Sequence, residues 1–378
     1  MKRAALAGAA ALAALVPGQG FAEPLGPTPA AYVVVGDEVI DGGVHVWDFP
    51  VIVTPGSSLT IKNATVYLDW RPPVCTHGTF GTCPSGVQVQ GGTLRIHDST
   101  LDTHDWDEKD GWSGYKIGGT AATFDFQRSR FVHQEAFGTQ FAGPERSIIK
   151  DNVFEWVTSA MNFWRGSEAE ITGNEIRHAL YGIEMRDTTG VIRGNVFRDV
   201  YRTWGSSRAL IVQSTQVGQS LYVTDPVVED NLFENGPRAL AILSLNGFEN
   251  VFRNNTIRGF AAGASVGLLA GDREHKAHSR WEGNTFEDNE MQMQVYVSGV
   301  PAEGTLEQIE FQLHGNAFLG NSCTDLRQVP THARVELSID ANDNWWGSPD
   351  GPRPNRDAEC RRIDGNRIRI DRWLTEAP

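Results

Sequence analysis

In the alternating stretch Tyr181-Gly-Ile-Glu-Met-Arg186, a carboxylate (Glu184) and a guanidinium (Arg186) stand two residues apart. Counted from the asparagine that precedes each stretch, Asn162 and Trp164 take the same two places one repeat earlier. Ile211 and Gln213 take them one repeat later. With Ile183 and Met185 turned inward, Gly182, Glu184 and Arg186 are expected to face solvent. Lys116 lies in a related stretch, Tyr115-Lys-Ile117, and Gln88-Val-Gln90 in another. Such a surface suits a sugar chain. A Trp ring stacks on the apolar face of a pyranose, and an Arg grips a carboxylate with two parallel hydrogen bonds. A Lys or Arg with lowered pKa can remove the proton beside that carboxylate, which opens β-elimination. Lys116, Glu184 and Arg186 are therefore the candidate catalytic residues, with Asn162, Trp164 and Gln213 as candidate substrate-binding residues. The plainer alternative is that Glu184 and Arg186 neutralise each other on a solvated strand.

Other clusters are less pointed. Leu101–Trp112 carries five carboxylates and His104. Carboxylates this close can bind calcium through oxygen ligands or supply the acid and base of a glycoside hydrolysis. The D-x-D-x-D-G spacing of a calcium loop is missing, and a solvated acidic loop explains the composition as well. Calcium is the one cofactor this reading suggests. In Gly271–His278, His275 and His278 could join Asp272 on a metal, but the spacing fits no recognised motif and no metal site is assigned. His178, just past a corner, is better suited to a local hydrogen bond than to a general base. Neither a phosphate-cradling Gly-rich loop nor a G-x-S-x-G elbow occurs.

What positions these residues is a repeat. An asparagine followed two positions later by a bulky apolar residue recurs at Asn152, Asn174, Asn195, Asn231, Asn255, Asn284, Asn316 and Asn344, with spacings of 22, 21, 36, 24, 29, 32 and 28. A floor near 21 with variable additions implies one structural unit per phrase, the additions being loops from a fixed corner. Weaker copies around Val66, Leu101 and Phe131 bring the total to about eleven. Each unit shows short period-two alternation and no helix-length 3.6-residue periodicity. The spacing predicts an all-β, right-handed parallel β-helix on the order of 50 Å long, at one strand spacing per coil. The asparagine is expected to take the left-handed corner conformation and to hydrogen-bond up the stack. Phe154, Ile176, Phe197, Phe233, Ile257, Phe286, Phe318 and Trp346 are expected to form an inner ladder. Leucine at fixed offsets, or units near 40 residues, would have indicated other repeat folds.

The remaining chain frames this solenoid. Residues 1–22 read as a secretory signal: Lys2 and Arg3, an apolar run from Ala4 to Val16, then Gly20-Phe-Ala22. That run is too short to span a bilayer, and no later segment approaches the length. Residues 23–48 are expected to form an N-terminal cap, with Val33, Val34, Val35 and Val39 covering the open end. Residues 49–348 form the helix. Residues 349–378 are a capping tail, in which Ile368, Ile370 and Trp373 pack. Four cysteines in an oxidising compartment favour two disulfides. Of three possible connectivities, Cys75–Cys83 and Cys323–Cys360 is the simplest. A net charge of -14 excludes a general nucleic-acid partner. The expected product is a secreted or periplasmic monomer whose partner is a polysaccharide.

The recurring GNxF/GNxI phrase with a YGIEM-type strand resembles the right-handed β-helix, or pectate-lyase-like, superfamily over about residues 49–350. The closing NDNWWGSPDGP is similar to endings among its secreted members. The resemblance implies the fold and a polysaccharide-related role, a lyase on a uronate-containing glycan before a hydrolase. A non-catalytic glycan- or protein-binding rod is the rival. The polygalacturonase, pectate lyase and mannuronan epimerase signatures are absent from this sequence, so no catalytic residue carries over by motif.

Overall fold

The computed structural model describes residues 30–68, 86–103, 115–200, 207–213, 225–244, 250–269, 279–298, 307–320, 323–329, 335–352, 363–365 and 367–378. Alternation makes the strands and also aligns them. Ser58–Lys62, Thr93–His97 and Thr123–Gln127 each bury their second and fourth residues. They lie in parallel register, with Leu59 beside Leu94 beside Phe124, and Ile61 beside Ile96 beside Phe126. Thirteen strands, from Asp37–Asp41 to Ile368–Arg369, stack in this way into one face. A second and a third face are joined by long strands that bend at a corner: Val153–Trp164, Glu175–Arg186, Leu232–Ser244 and Thr256–Leu269. Every strand pairing between coils is parallel, and no helix occurs among the described residues. The molecule is a right-handed parallel β-helix.

The inner ladder forms as the repeat predicts. Phe131, Phe154, Ile176, Phe197, Phe233, Ile257, Phe286 and Phe318 lie one above another in register. All are buried, and Trp346 follows on Phe318 with ring centroids 4.7 Å apart. Stacked pairs such as Phe131–Phe154 (4.8 Å, 7° between planes) and Phe197–Phe233 (4.6 Å) recur along it. Each such pair adds about 0.5–1.5 kcal/mol beyond the burial of its area.

The corner works differently from the expectation. The left-handed residue is the one before each asparagine: Asp151, Gly173, Gly194, Asp230, Asn254, Gly283, Gly315 and Asp343 all have φ between 56° and 67°. The asparagine that follows turns its amide inward. Its Oδ1 accepts from the backbone N–H and the Nδ2 of the preceding rung, as in Asn152 N and Nδ2 to Asn174 Oδ1 at 3.0 and 2.9 Å. Nδ2 also donates to a carbonyl one coil back, as from Asn174 to Ile149 O at 2.8 Å. The chain of bonds continues to Asn344 through Asn195, Asn231, Asn255, Asn284 and Asn316. Ser129 and Ser99 extend it downward with hydroxyls in place of amides. Division of labour explains the pattern. Asp, Asn and Gly tolerate the left-handed region, while the inward amide satisfies backbone donors that burial would otherwise leave orphaned.

At the N-terminus, Asp37–Asp41 and Val44–Trp47 pair in register with the next coil, so these residues make a coil of their own. Val34 is buried, but Val33, Val35 and Val39 are exposed. Val39 sits beside Thr60, an outward position, which is why it does not cover the open end. At the other end, Ile368 and Ile370 pack against the core. Trp373 stays partly exposed over Gly351, with Nε1 donating to Pro349 O at 3.0 Å.

Candidate functional site

Two outer surfaces of the solenoid are charge ladders. Beyond the asparagine corner, Glu155, Arg177, Arg198, Glu234, Arg258 and Glu287 form one outward column. Arg177 pairs with Glu155 at 3.0 Å and Arg198 with Glu234 at 3.0 Å, and Arg258 also contacts Glu234. On the thirteen-stranded face, Glu229 is clasped between Arg193 and Arg253. Burial alone would raise the Glu229 pKa, but hydrogen bonds from Arg253 and Arg193 outweigh it and hold the carboxyl below its ordinary value.

The remaining face carries the candidate residues. Its register runs Asn162 beside Glu184 beside Ile211, and Trp164 beside Arg186 beside Gln213; the alignment of Asn162 with Glu184 and of Trp164 with Arg186 is the one that distance from the corner asparagine predicts. Glu184 and Asn162 are both nearly buried, at 6% and 7% exposure. Arg186 donates to Glu184 Oε1 through Nε and Nη2. The Asn162 amide fits with its nitrogen toward Glu184, donating to Oε2 at 3.0 Å. The Arg186 guanidinium lies 5.0 Å from the Trp164 ring centroid, so it covers one face of that ring. The result is a fixed carboxylate with both oxygens occupied, an arginine stretched over an aromatic, and Gln213 half-buried one rung on. The neutralisation of Glu184 by Arg186 is thus the observed geometry.

Two expectations fail here. Gly182 does not face solvent: a Cβ on it would meet Phe197 ring carbons at 3.0 Å and Ala209 O at 2.2 Å. The alternation slips at this point, and half-buried Tyr181 takes the outward place. The slip sets small residues, Ala160, Gly182, Ala209, Ala239 and Gly263, beside the phenylalanine ladder. Lys116 does not join Glu184 either. Its register partner is Ala136, which leads through Ser159 to Tyr181, so Lys116 lies three rungs, or about 14 Å, before the Tyr181 rung. A bulge between Tyr115 and Lys116 inserts Glu135, and Lys116 pairs with it at 2.8 Å.

The same column holds residues that sequence reasoning missed. After Tyr181 comes Arg208, and Arg238 stands two residues ahead of the Leu210–Leu240 pair, which makes it the neighbour of Arg208 on the next rung. Ala262 follows Arg238. A signal was present: Arg-Ala-Leu occurs twice, at 208–210 and 238–240.

Of the other candidates, His178 occupies the second corner at φ 51° with its ring stacked on Trp156 at 4.3 Å. Asp102 pairs with His133 at 2.8 Å. The rest of the acidic cluster, from His104 to Trp112, lies outside the described residues, as do Asp272, His275 and His278. Among the described residues no group of three metal-ligating side chains comes together, and no helix is long and apolar enough to cross a membrane. Cys323 is disulfide-bonded. Cys75, Cys83 and Cys360, like the signal segment, lie outside the described residues.

Several solved structures are similar to this chain. The periplasmic alginate epimerase AlgG is similar at 12% identity, covering 91% of this chain and 85% of its own, with a TM-score of 0.39. The AlgE4 A-module, a mannuronan C-5 epimerase of Azotobacter vinelandii, shows 12% identity, 90% coverage of both chains and a TM-score of 0.37. The catalytic domain of a GH87 alpha-1,3-glucanase in complex with nigerose shows 9% identity, 91% coverage of this chain, 62% of its own and a TM-score of 0.34. A search of curated proteins finds no match. The family described as the right handed beta helix region matches residues 85–299, more than half of the sequence. The chain belongs to the right-handed beta helix family.

Proposed function

We propose that this is an exported polysaccharide-active protein that lays an extended, uronate-containing glycan along the face carrying Trp164, Glu184 and Arg186, and cleaves it by β-elimination. The observation that carries the reading is the contrast between faces. On two of them arginines pair with carboxylates of neighbouring rungs, whereas on this one an aromatic, a fixed carboxylate, amides and cations adjoin. Sugar recognition uses this mixture, with an aromatic for the apolar face and arginine for the acid group. In the proposed reaction a Lys or Arg side chain of this face, in its neutral form, takes the proton beside the carboxylate, the bond from the neighbouring carbon to the leaving oxygen breaks, that oxygen takes up a proton, and an unsaturated uronate remains. Export by residues 1–22, a monomeric state and the pairings Cys75–Cys83 and Cys323–Cys360 belong to the same proposal.

One observation favours a second reading, a glycan-binding protein without turnover. Lys116 and Arg186, the cations first assigned to catalysis, are each paired with a carboxylate. Incubation with a panel of acidic glycans separates the two. Absorbance of an unsaturated product establishes the lyase. Reducing ends without that absorbance establish hydrolysis, and binding without either establishes the non-catalytic reading. No binding and no product from any glycan overturns the proposal.

A further inference from the structure

Arg208 and Arg238 differ from the paired guanidiniums of the ladders. They are neighbours on adjacent rungs, about 4.8 Å apart along the stack. Both are half-buried, and the Nε of each is shielded from solvent without a hydrogen-bond partner. Among the described residues no carboxylate pairs with either. Burial pushes the Arg238 guanidinium below its ordinary pKa, the charge of Arg208 adds to that, and Tyr296 opposes it. Half-burying two like charges side by side is unfavourable for the empty protein. Elsewhere this chain neutralises such columns with Glu or Asp, as at Glu229 and Glu234. Here the rung before is Tyr181 and the rung after is Ala262, one offering an aromatic wall and the other room.

We infer that Arg208 and Arg238 form a two-rung clamp for a single oxyanion on the glycan, a uronate carboxylate or a sulfate ester. Planar guanidiniums one rung apart present parallel donors that both oxygens of one acid group can bridge, and Arg does this where Lys does not. The clamp rests on the glycan-binding reading above and specifies where its acid group is held: at the Tyr181 end of the face, apart from the Glu184–Arg186 pair.

The test is calorimetric titration of the full chain with tetragalacturonate, its methyl ester, a sulfated galactan tetrasaccharide and a neutral glucan tetrasaccharide. The wild type is expected to prefer tetragalacturonate to its ester by about tenfold or more, the usual size of a charge-assisted hydrogen bond. Arg208→Gln and Arg238→Gln should each erase that preference while leaving binding of the ester unchanged. Arg238→Lys should retain only part of it. The melting temperature of Arg238→Gln should stay level or rise, because an unpaired half-buried cation is removed; a merely structural arginine would lower it. If arginine-dependent preference appears for the sulfated galactan alone, the clamp stands with a sulfate ester as its ligand. A preference that survives in both Gln variants overturns the clamp, as does binding of the neutral glucan with no preference for either acidic probe; both leave the glycan reading intact. A wild type that binds none of the four probes overturns both.

Discussion

The glutamates at 184 and 229 are the same side chain placed in two economies of charge. Glu229 sits between Arg193 and Arg253 in a column where sign alternates from coil to coil, so its partners come from the rungs below and above. Glu184 takes its arginine from its own strand and its amide from the rung below, and among the described residues no carboxylate pairs with the two arginines of the column before it. The first arrangement ties coils together and gives the buried carboxylate an arginine on each side. The second leaves cationic capacity unused in the protein alone. In a solenoid whose coils repeat one corner and one inner ladder, the faces differ chiefly in their outer side chains.

The largest loss is expected at the corner that all faces share. Asn195→Leu strands the Asn174 N–H and removes the donations of Nδ2 to Ile171 O and Asn231 Oδ1. At about 1–3 kcal/mol per orphaned buried group, a loss of about 2–5 kcal/mol is expected in denaturant unfolding. Next comes one substitution made on both faces. Glu229→Gln and Glu184→Gln should each cost about 1–3 kcal/mol, since both remove charge-assisted bonds from a nearly buried carboxylate. Only Glu184→Gln should also abolish turnover of an acidic glycan, and unchanged rates in that variant would remove Glu184 from the proposal.

Acid should find the ladders first. Glu229, Glu155 and Asp340 are held below their ordinary pKa because arginine hydrogen bonds outweigh the raising effect of burial. A carboxyl with a depressed folded pKa contributes stability above its unfolded value and loses it as pH falls through the folded one. Melting temperature should therefore be flat from neutrality to about pH 5 and fall below the ordinary carboxylate range near pH 4. In Glu229→Gln that fall should be shallower. The smallest effect belongs to Arg258→Gln, whose guanidinium is about half exposed. A loss within about 1 kcal/mol and unaltered glycan binding are expected.

The fold was legible because its signal is redundant: eight Asn phrases state one corner, and counting from each sets the register of Glu184 against Asn162. The site was legible only where alternation is regular. Gly182 was assigned outward because period two was carried through a slip that the sequence does not mark. Lys116 was grouped with Glu184 because its strand looked like a related one, and two register shifts on the way, one of them the bulge at Glu135, leave no fixed count between them. Arg208 and Arg238 escaped for the same reason as Tyr181, lying on the far side of that slip from the two columns first counted. The left-handed residue was placed one position late because Asn tolerates that backbone as well as the Asp or Gly before it.

The corner asparagines also govern how such a molecule changes height. From Asn174 to Asn316 each accepts from an identical group below and donates to an identical group above, so any two are interchangeable as neighbours. Excising residues 174–194 would join Gly173 to Asn195, restore a Gly-Asn corner and seat Asn152 on a new but equivalent partner. It would also bring Trp164 under Gln213. A cut that did not run from one corner asparagine to the residue before another would strand the bonds on both sides. Lengthening or shortening this chain by whole turns would keep the corner bonds, and each turn gained or lost would reset which side chains meet on the face that carries Trp164 and Arg186.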